Sequence, residues 1–105
     1  MLKSDPDEAS LEKASALLVA MSNAKRIEIL VLITQQEVVV GALAKAVGIR
    51  QSALSQHLAK LRSEGLVTTR RDAQTIYYSS QSEEVMGLLK VLEEIFALPQ
   101  TLRSF

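Results

Sequence analysis

The chain has 105 residues, enough for one domain with a modest hydrophobic core. Its hydrophobic content of 48% excludes a disordered chain, and its lack of cysteine excludes disulfides, thiolate metal ligands and thiol-based redox sensing. The net charge is zero, but residues 41–80 hold six Lys or Arg against two Asp or Glu, so the balance does not exclude a nucleic-acid partner.

The N-terminal residues predict a first helix over 5–21. Asp5 can cap it, Pro6 suits the first helical position, and Glu8 completes a capping box. The apolar residues that follow repeat at helical spacing; they are Leu11, Ala14, Leu17, Leu18 and Met21.

A second helix is predicted from a cap at Ser22 to about Thr34. Its stretch "IEILVLI" is apolar nearly all round, which indicates a central core helix. Lys25 and Arg26 are expected to be exposed at its start. Cations there oppose the helix dipole, so we expect them to serve another purpose.

The sequence contains no sign of export or membrane insertion. Residues 1–16 carry charges throughout, and apolar runs such as Ile29–Ile33 are far too short to span a bilayer. We therefore expect a cytoplasmic protein with no membrane partner.

The middle of the chain predicts two helices joined by a tight turn. The segment "EVVVG" is β-branched and suits a short strand. A short helix is expected over 41–47 with Gly48 as its stop, and another over about 51–63 with Gly65 as its stop. This spacing is typical of a helix-turn-helix.

The second of these helices has two dissimilar sides. Leu54, Leu58 and Leu61 form a seam for burial, whereas the opposite side carries small polar residues. In a helix-turn-helix this helix enters the DNA major groove, where Gln and Ser can read base edges. The alternative is an ordinary solvated face. The polar residues opposite the seam are Ser52, Ser55, Gln56 and Ser63.

A change to a period of two predicts a hairpin. Val67 to Arg71 and Thr75 to Ser79 read as strands, with "DAQ" at the tip. Basic and polar residues near the tip suit a wing laid along phosphates or in the minor groove. Tyr77 and Tyr78 alternate, so one of them should pack inward.

A last helix is predicted from a capping box of Ser80 and Glu83 to a stop at Pro99. Its apolar stripe and that of the first helix exceed what one small core covers, so we expect the two helices to pair in a homodimer. The residues expected at this interface are Leu11, Leu17, Leu18, Met21, Leu88, Leu89, Leu92, Ile95 and Phe96.

The segment "VGALAKAVGIRQSALSQHLAKLRSEGLVTTRRDAQTIYYSS" strongly resembles the ArsR/SmtB family of winged-helix repressors, closest to its NolR-like and HlyU-like branch. The resemblance implies a single α+β, mostly α, winged helix-turn-helix domain over 1–105, in the order α1-α2-short β/α3-α4-β-hairpin wing-α5. Its parts would be a helix-turn-helix at 40–64, a wing at 66–80 and dimerisation helices at 5–21 and 82–98.

The resemblance also implies a homodimeric regulator on a palindromic operator in double-stranded DNA. On the recognition helix, the residues expected to face DNA are Gln51, Ser52, Ser55, Gln56, His57 and Lys60. The residues expected to contact the backbone, or to do so from the wing, are Lys25, Arg26, Arg50, Arg70, Arg71, Gln74 and Thr75.

Three departures from the family pattern bear on mechanism. Arg50 stands where the family has a capping Ser, Thr or Asp, so either the helix starts later with Ser52 as cap or Arg50 serves a phosphate. The short helix lacks the Cys pair of metal sensors, and the last helix has no His. We therefore expect no metal, no cofactor and no thiol signal; an inducer, if one exists, is unknown.

The remaining polar residues have ordinary explanations as well. His57, the only histidine, can approach DNA or pack against a neighbouring helix. The four Glu at 83, 84, 93 and 94 suit a solvated helix face. Nothing resembles a catalytic constellation, so an enzyme is not expected. The rivals are a winged helix that docks another protein and a repressor gated by an unidentified small molecule or protein inducer.

Overall fold

The computed structural model describes residues 8–98. Five helices surround one small sheet, in the predicted order, and the expected winged helix-turn-helix fold is confirmed. The expected cap at Asp5, the expected first helical residue Pro6 and the stop at Pro99 lie outside the described residues. The elements are α1 (Glu8–Met21), α2 (Ala24–Ile33), β1 (Val38–Val39), α3 (Val40–Val47), α4 (Gln51–Ser63), β2 (Thr68–Asp72), β3 (Thr75–Ser79) and α5 (Glu83–Phe96).

The core is built around α2. Every residue from Ile29 to Ile33 is buried, as the all-round apolar pattern predicts. The seam of α4 packs into the same cluster, with Leu54 and Leu61 fully buried. Val85 of α5 closes the cluster from the other side. These contacts fix the recognition helix to the centre of the molecule.

The sheet has three antiparallel strands in the order β1-β3-β2. Val38 pairs with Tyr78, and both turn towards the core, where Tyr78 packs against the buried cluster. Side chains alternate along a strand, so Tyr77 lies on the opposite face. The expectation that one of the two tyrosines packs inward is confirmed.

The hairpin tip is tighter than the sequence indicates. Asp72 belongs to β2 and pairs with Thr75, so only Ala73 and Gln74 form the loop, not "DAQ". Ala73 has φ of 57°, a left-handed conformation at the position where two-residue hairpin loops favour glycine.

Two predicted helix caps are wrong by one or two residues. Asn23, not Ser22, caps α2, because its Oδ1 accepts a hydrogen bond from the Arg26 N–H at 3.0 Å. Ser82, not Ser80, caps α5 by accepting from the Val85 N–H. Ser80 is instead buried, and its hydroxyl donates to the Leu66 carbonyl at 2.6 Å.

The outer sides of α1 and α5 leave apolar residues uncovered. Leu11, Leu18, Val91 and Ile95 are 47–65% exposed, and we call these four the outer apolar face. Leu18 and Val91 line one shallow groove between the two helices, of about 280 Å³.

The other predicted interface residues have different positions. Met21 and Leu89 are buried in the chain's own core, at 4% and 9% exposure, so little of either side chain is available to a partner. Leu17, Leu88 and Leu92 are half-buried against that core. Phe96 is exposed at the end of α5.

Candidate nucleic-acid interface

The outward side of α4 is a polar strip. Its members are exposed, whereas Leu54, Leu58 and Leu61 are buried beneath them. Within residues 8–98, the side chains of Ser52, Ser55 and Gln56 make no hydrogen bond, so their donors and acceptors are open to a partner. The exposed polar residues of this strip are Gln51, Ser52, Ser55, Gln56 and Lys60.

The turn between α3 and α4 presents the start of α4 to solvent. Gly48 ends α3 with φ of 70°, the left-handed conformation that favours glycine. Arg50 then occupies the N-cap without a capping side chain, and Leu54 N–H donates to its carbonyl at 3.0 Å. The alternative of a later start capped by Ser52 is therefore wrong. Arg50 itself is exposed beside the first turn of α4.

The two cations at the start of α2 are half-buried, not exposed as expected. Arg26 Nε donates to the Ala20 carbonyl at 2.6 Å, and Lys25 Nζ donates to the Val47 carbonyl at 2.7 Å. Cations favour the C-terminal ends of helices, so each stabilises the end of a neighbouring helix, α1 and α3 respectively. Lys25 also pairs with Glu28 at 3.3 Å. This capping explains why cations stand at the unfavourable end of α2.

His57 is half-buried beside Arg26. Its Nδ1 lies 3.3 Å from Arg26 Nη1. Desolvation, followed by the Arg26 charge, lowers the pKa of His57 from its ordinary value of 6.5. The imidazole is therefore neutral at pH 7, and its Nδ1 can accept from the guanidinium. Of the two roles predicted for His57, the structure shows packing against a neighbouring element.

The wing carries both free and paired polar groups. Arg71, Gln74 and Thr75 are exposed around the tip. Arg70 instead forms a two-pronged ion pair: its Nε and Nη2 each lie 2.9 Å from a carboxylate oxygen of Glu37.

A ring contact completes this arrangement. The Arg70 guanidinium lies 4.3 Å from the centre of the Tyr77 ring, a distance that suits a cation–π interaction. The hydrogen bond from Arg70 lowers the pKa of Glu37, and the same bond raises the pKa of Arg70.

Sequence reasoning missed Glu37. It directly precedes β1. The sequence predicts a short strand at this point but does not indicate which strand it pairs with. Only the strand order places it beside Arg70: Val39 pairs with Tyr77, and Tyr77 pairs with Arg70. Alternation along β1 puts Glu37 on the same face as Val39. No local sequence pattern predicts how β1, β3 and β2 align with one another.

Two further findings concern the described part of the chain. Residues 8–98 contain no group of three or more His, Cys, Asp or Glu side chains placed to hold a metal ion. No helix in that part is long and apolar enough to cross a membrane.

Comparison of the sequence with known proteins identifies the family of this chain. The profile described as "Bacterial regulatory protein, arsR family" matches residues 23–69. The nodulation protein NolR of Rhizobium meliloti is 56% identical over 81% of this chain and 70% of its own length. The transcriptional activator HlyU of Vibrio cholerae is 44% identical over 85% of this chain and 82% of its own.

Solved structures of related proteins have the same fold as this chain. The crystal structure of NolR from Sinorhizobium fredii superposes with a TM-score of 0.83 at 52% identity, covering 94% of this chain and all of that one. A homodimeric winged helix-turn-helix DNA-binding domain from Mycobacterium bovis gives 0.75 at 31% identity, covering 90% and 89%. The resemblance to the NolR-like and HlyU-like branch is thus confirmed, and this chain belongs to the arsR family as a DNA-binding transcriptional regulator, not an enzyme.

Proposed function

We propose that the protein represses transcription by binding a palindromic operator as a homodimer, without a metal or thiol signal. The observation that carries this proposal is the polar strip of α4. Ser52, Ser55 and Gln56 are exposed and unpartnered within the described residues, on a helix fixed by its buried leucines. Gln can pair with adenine through two hydrogen bonds, and Ser can donate or accept.

The backbone contacts in this proposal come from both ends of the interface. Arg50 stands at the first turn of α4, and Arg71, Gln74 and Thr75 stand around the wing tip. Lys25 and Arg26 are left out, because both are engaged with carbonyl groups inside the chain. His57 supports α4 from within through Arg26.

The outer apolar face supports the homodimer. Large side chains such as Leu18 and Ile95 are 57% and 63% exposed, and a continuous apolar surface is the usual mark of an interface. The homodimeric Mycobacterium bovis domain shows that the same fold assembles in pairs. A twofold axis through α1 and α5 would carry two copies of α4 to one duplex, with inverted half-sites about 10 bp or a multiple of it apart.

Selection of bound sequences from a random duplex pool tests this function. We expect an inverted repeat, with binding that weakens steeply as salt rises. Enrichment of no sequence, or of a single unrepeated half-site, would contradict the palindromic operator. Transcription in vitro from a promoter that carries the selected site then tests repression; an increase in transcript would make the protein an activator, as HlyU is named.

A further inference from the structure

Glu37 and Arg70 form an ion pair on the wing surface that nothing in the core requires. Both side chains are about half exposed, at 41% and 51%. The contact nevertheless has favourable geometry, since two nitrogens of the guanidinium each meet one carboxylate oxygen at 2.9 Å. Paired forks of this kind are stronger and more directional than single contacts.

The pair changes the charge that the wing offers to DNA. Affinity for the phosphate backbone depends on how many phosphates are neutralised by cations, each of which releases a condensed counterion. A guanidinium already held by a carboxylate neutralises a phosphate poorly, and the carboxylate itself repels phosphates. Arg71, the next residue, has no ion pair within residues 8–98.

A role in stability alone does not account for the arrangement. Exposed ion pairs contribute little to folding because water and salt screen them. The Tyr77 ring beneath Arg70 already keeps the guanidinium in place on the sheet. Glu37 therefore adds charge neutralisation more than it adds structure.

We propose that Glu37 limits the affinity of the wing for DNA by holding Arg70 away from the phosphate backbone, so that Arg70 is a DNA contact in reserve. This inference rests on the part of the proposed function that places the wing against DNA. It does not depend on a palindromic operator. In this proposal Glu37 sets the overall affinity for DNA, whereas the recognition helix α4 sets the sequence specificity. Its effect should be the same on every DNA sequence, because phosphates carry no sequence information.

The test is the salt dependence of binding to random duplex by Glu37→Gln. This substitution keeps the shape of the side chain and removes its charge. We expect tighter binding than wild type and a slope of log K against log salt that is more negative by about 0.9 for each wing, so by about 1.8 for the dimer. The gain in affinity of the dimer should accordingly be about 12-fold larger at 50 mM than at 200 mM salt.

A second background separates this mechanism from a general charge effect. In Arg70→Gln, the added Glu37→Gln change should raise affinity and steepen the slope much less than it does in the wild-type background, since only the repulsion by the carboxylate is removed and no reserved guanidinium remains. Glu94→Gln, which removes an exposed carboxylate from α5, is the control for net charge and should match wild type. Equal gains from Glu37→Gln with and without Arg70, or unchanged or weaker binding in the single variant, would overturn the proposal.

Failure of the proposed function would look different. A wild-type protein that binds random duplex but enriches no operator would reject the palindromic repressor while leaving the Glu37 comparison fully readable. Partial unfolding of a variant cannot imitate the expected result either, because it lowers affinity instead of raising it.

Discussion

Arg26 joins the end of the first helix to the recognition helix through His57. Its Nε donates to the Ala20 carbonyl at 2.6 Å, and its Nη1 lies 3.3 Å from His57 Nδ1. A single guanidinium therefore connects α1, which carries part of the outer apolar face, with α4, which carries the polar strip. The contact requires a neutral imidazole.

Acid should weaken this connection and the fold with it. The pKa of His57 is lower in the folded chain than its ordinary 6.5, so below that pH the unfolded chain binds more protons. The free energy of unfolding should then fall as pH drops from 6.5 towards the folded pKa, with no further loss from this group below it. Urea unfolding between pH 5 and 8 measures the effect. His57→Gln should lose less stability over that interval; an equal loss would show that other groups cause it.

Gln56 should contribute to sequence recognition. Gln56→Ala removes an exposed amide from the polar strip, so we expect specific binding to weaken by about 1–3 kcal/mol, with relaxed preference at one base pair. Quantitative binding to the selected operator and to its single-base variants measures this. Ser63→Ala, at the far end of α4, is the matched control and should have little effect. An equal loss on operator and random DNA for Gln56→Ala would reject base reading.

Arg71 and Arg70 should differ although they are neighbours. Arg71→Ala removes a free cation from each wing, so the salt slope should decrease in magnitude by about 1 for each wing and by about 2 for the dimer. Arg70→Ala removes a cation that Glu37 already neutralises, so its slope should change much less. Binding measured from 50 to 300 mM salt distinguishes them. Identical slopes for the two variants would contradict the difference assigned to the ion pair.

The outer apolar face should hold the dimer. Ile95→Asp places a charge in the proposed interface on a side chain that is 63% exposed in the single chain, so the monomer should still fold. We expect light scattering to show dissociation at micromolar concentration, with loss of operator binding. Met86→Asp, on the other flank of α5, beside Val31 and Thr34, is the control and should remain dimeric. A monomeric Ile95→Asp variant with full operator affinity would exclude the dimer as the reading unit.

Divalent metals should leave operator binding unchanged. The chain has no cysteine and one histidine, and zinc sites are built mainly from those residues. Titration with micromolar zinc, followed by a chelator, checks this expectation. A large loss of binding that the chelator reverses would reveal a metal site built from carboxylates.

The sequence predicted the parts of the fold that depend on local periodicity. The buried run Ile29–Ile33 and the seam from Leu54 to Leu61 follow from spacing alone, and both are in the core. Gly48 was predictable as a helix stop because few residues adopt its positive φ. These features together predict that α4 turns its polar strip outward.

The features that were predicted wrongly depend on contacts between residues far apart in sequence, or on a strand alignment that shifts if the loop length changes by one residue. A tip of "DAQ" would set Arg70 opposite Ile76, whereas the two-residue loop sets it opposite Tyr77. A slip of one residue changes every cross-strand neighbour, so neither the stacking of Arg70 nor its pairing with Glu37 was predictable. The internal roles of Lys25 and Arg26 were missed for a similar reason, since their partners lie on other helices.

Ser80 connects the end of the hairpin to two distant points of the chain, the end of α2 and the segment between α4 and β2. Its N–H donates to the Ile33 carbonyl at the end of α2, while its hydroxyl donates to the Leu66 carbonyl at the entrance to the wing. The turn, the recognition helix and the hairpin thus lie within a loop of chain that one buried residue closes. In amide hydrogen exchange, such a segment should open as one cooperative unit with the core. The Ser80 amide should therefore be among the slowest to exchange, and the wing should not melt ahead of the helices that carry it.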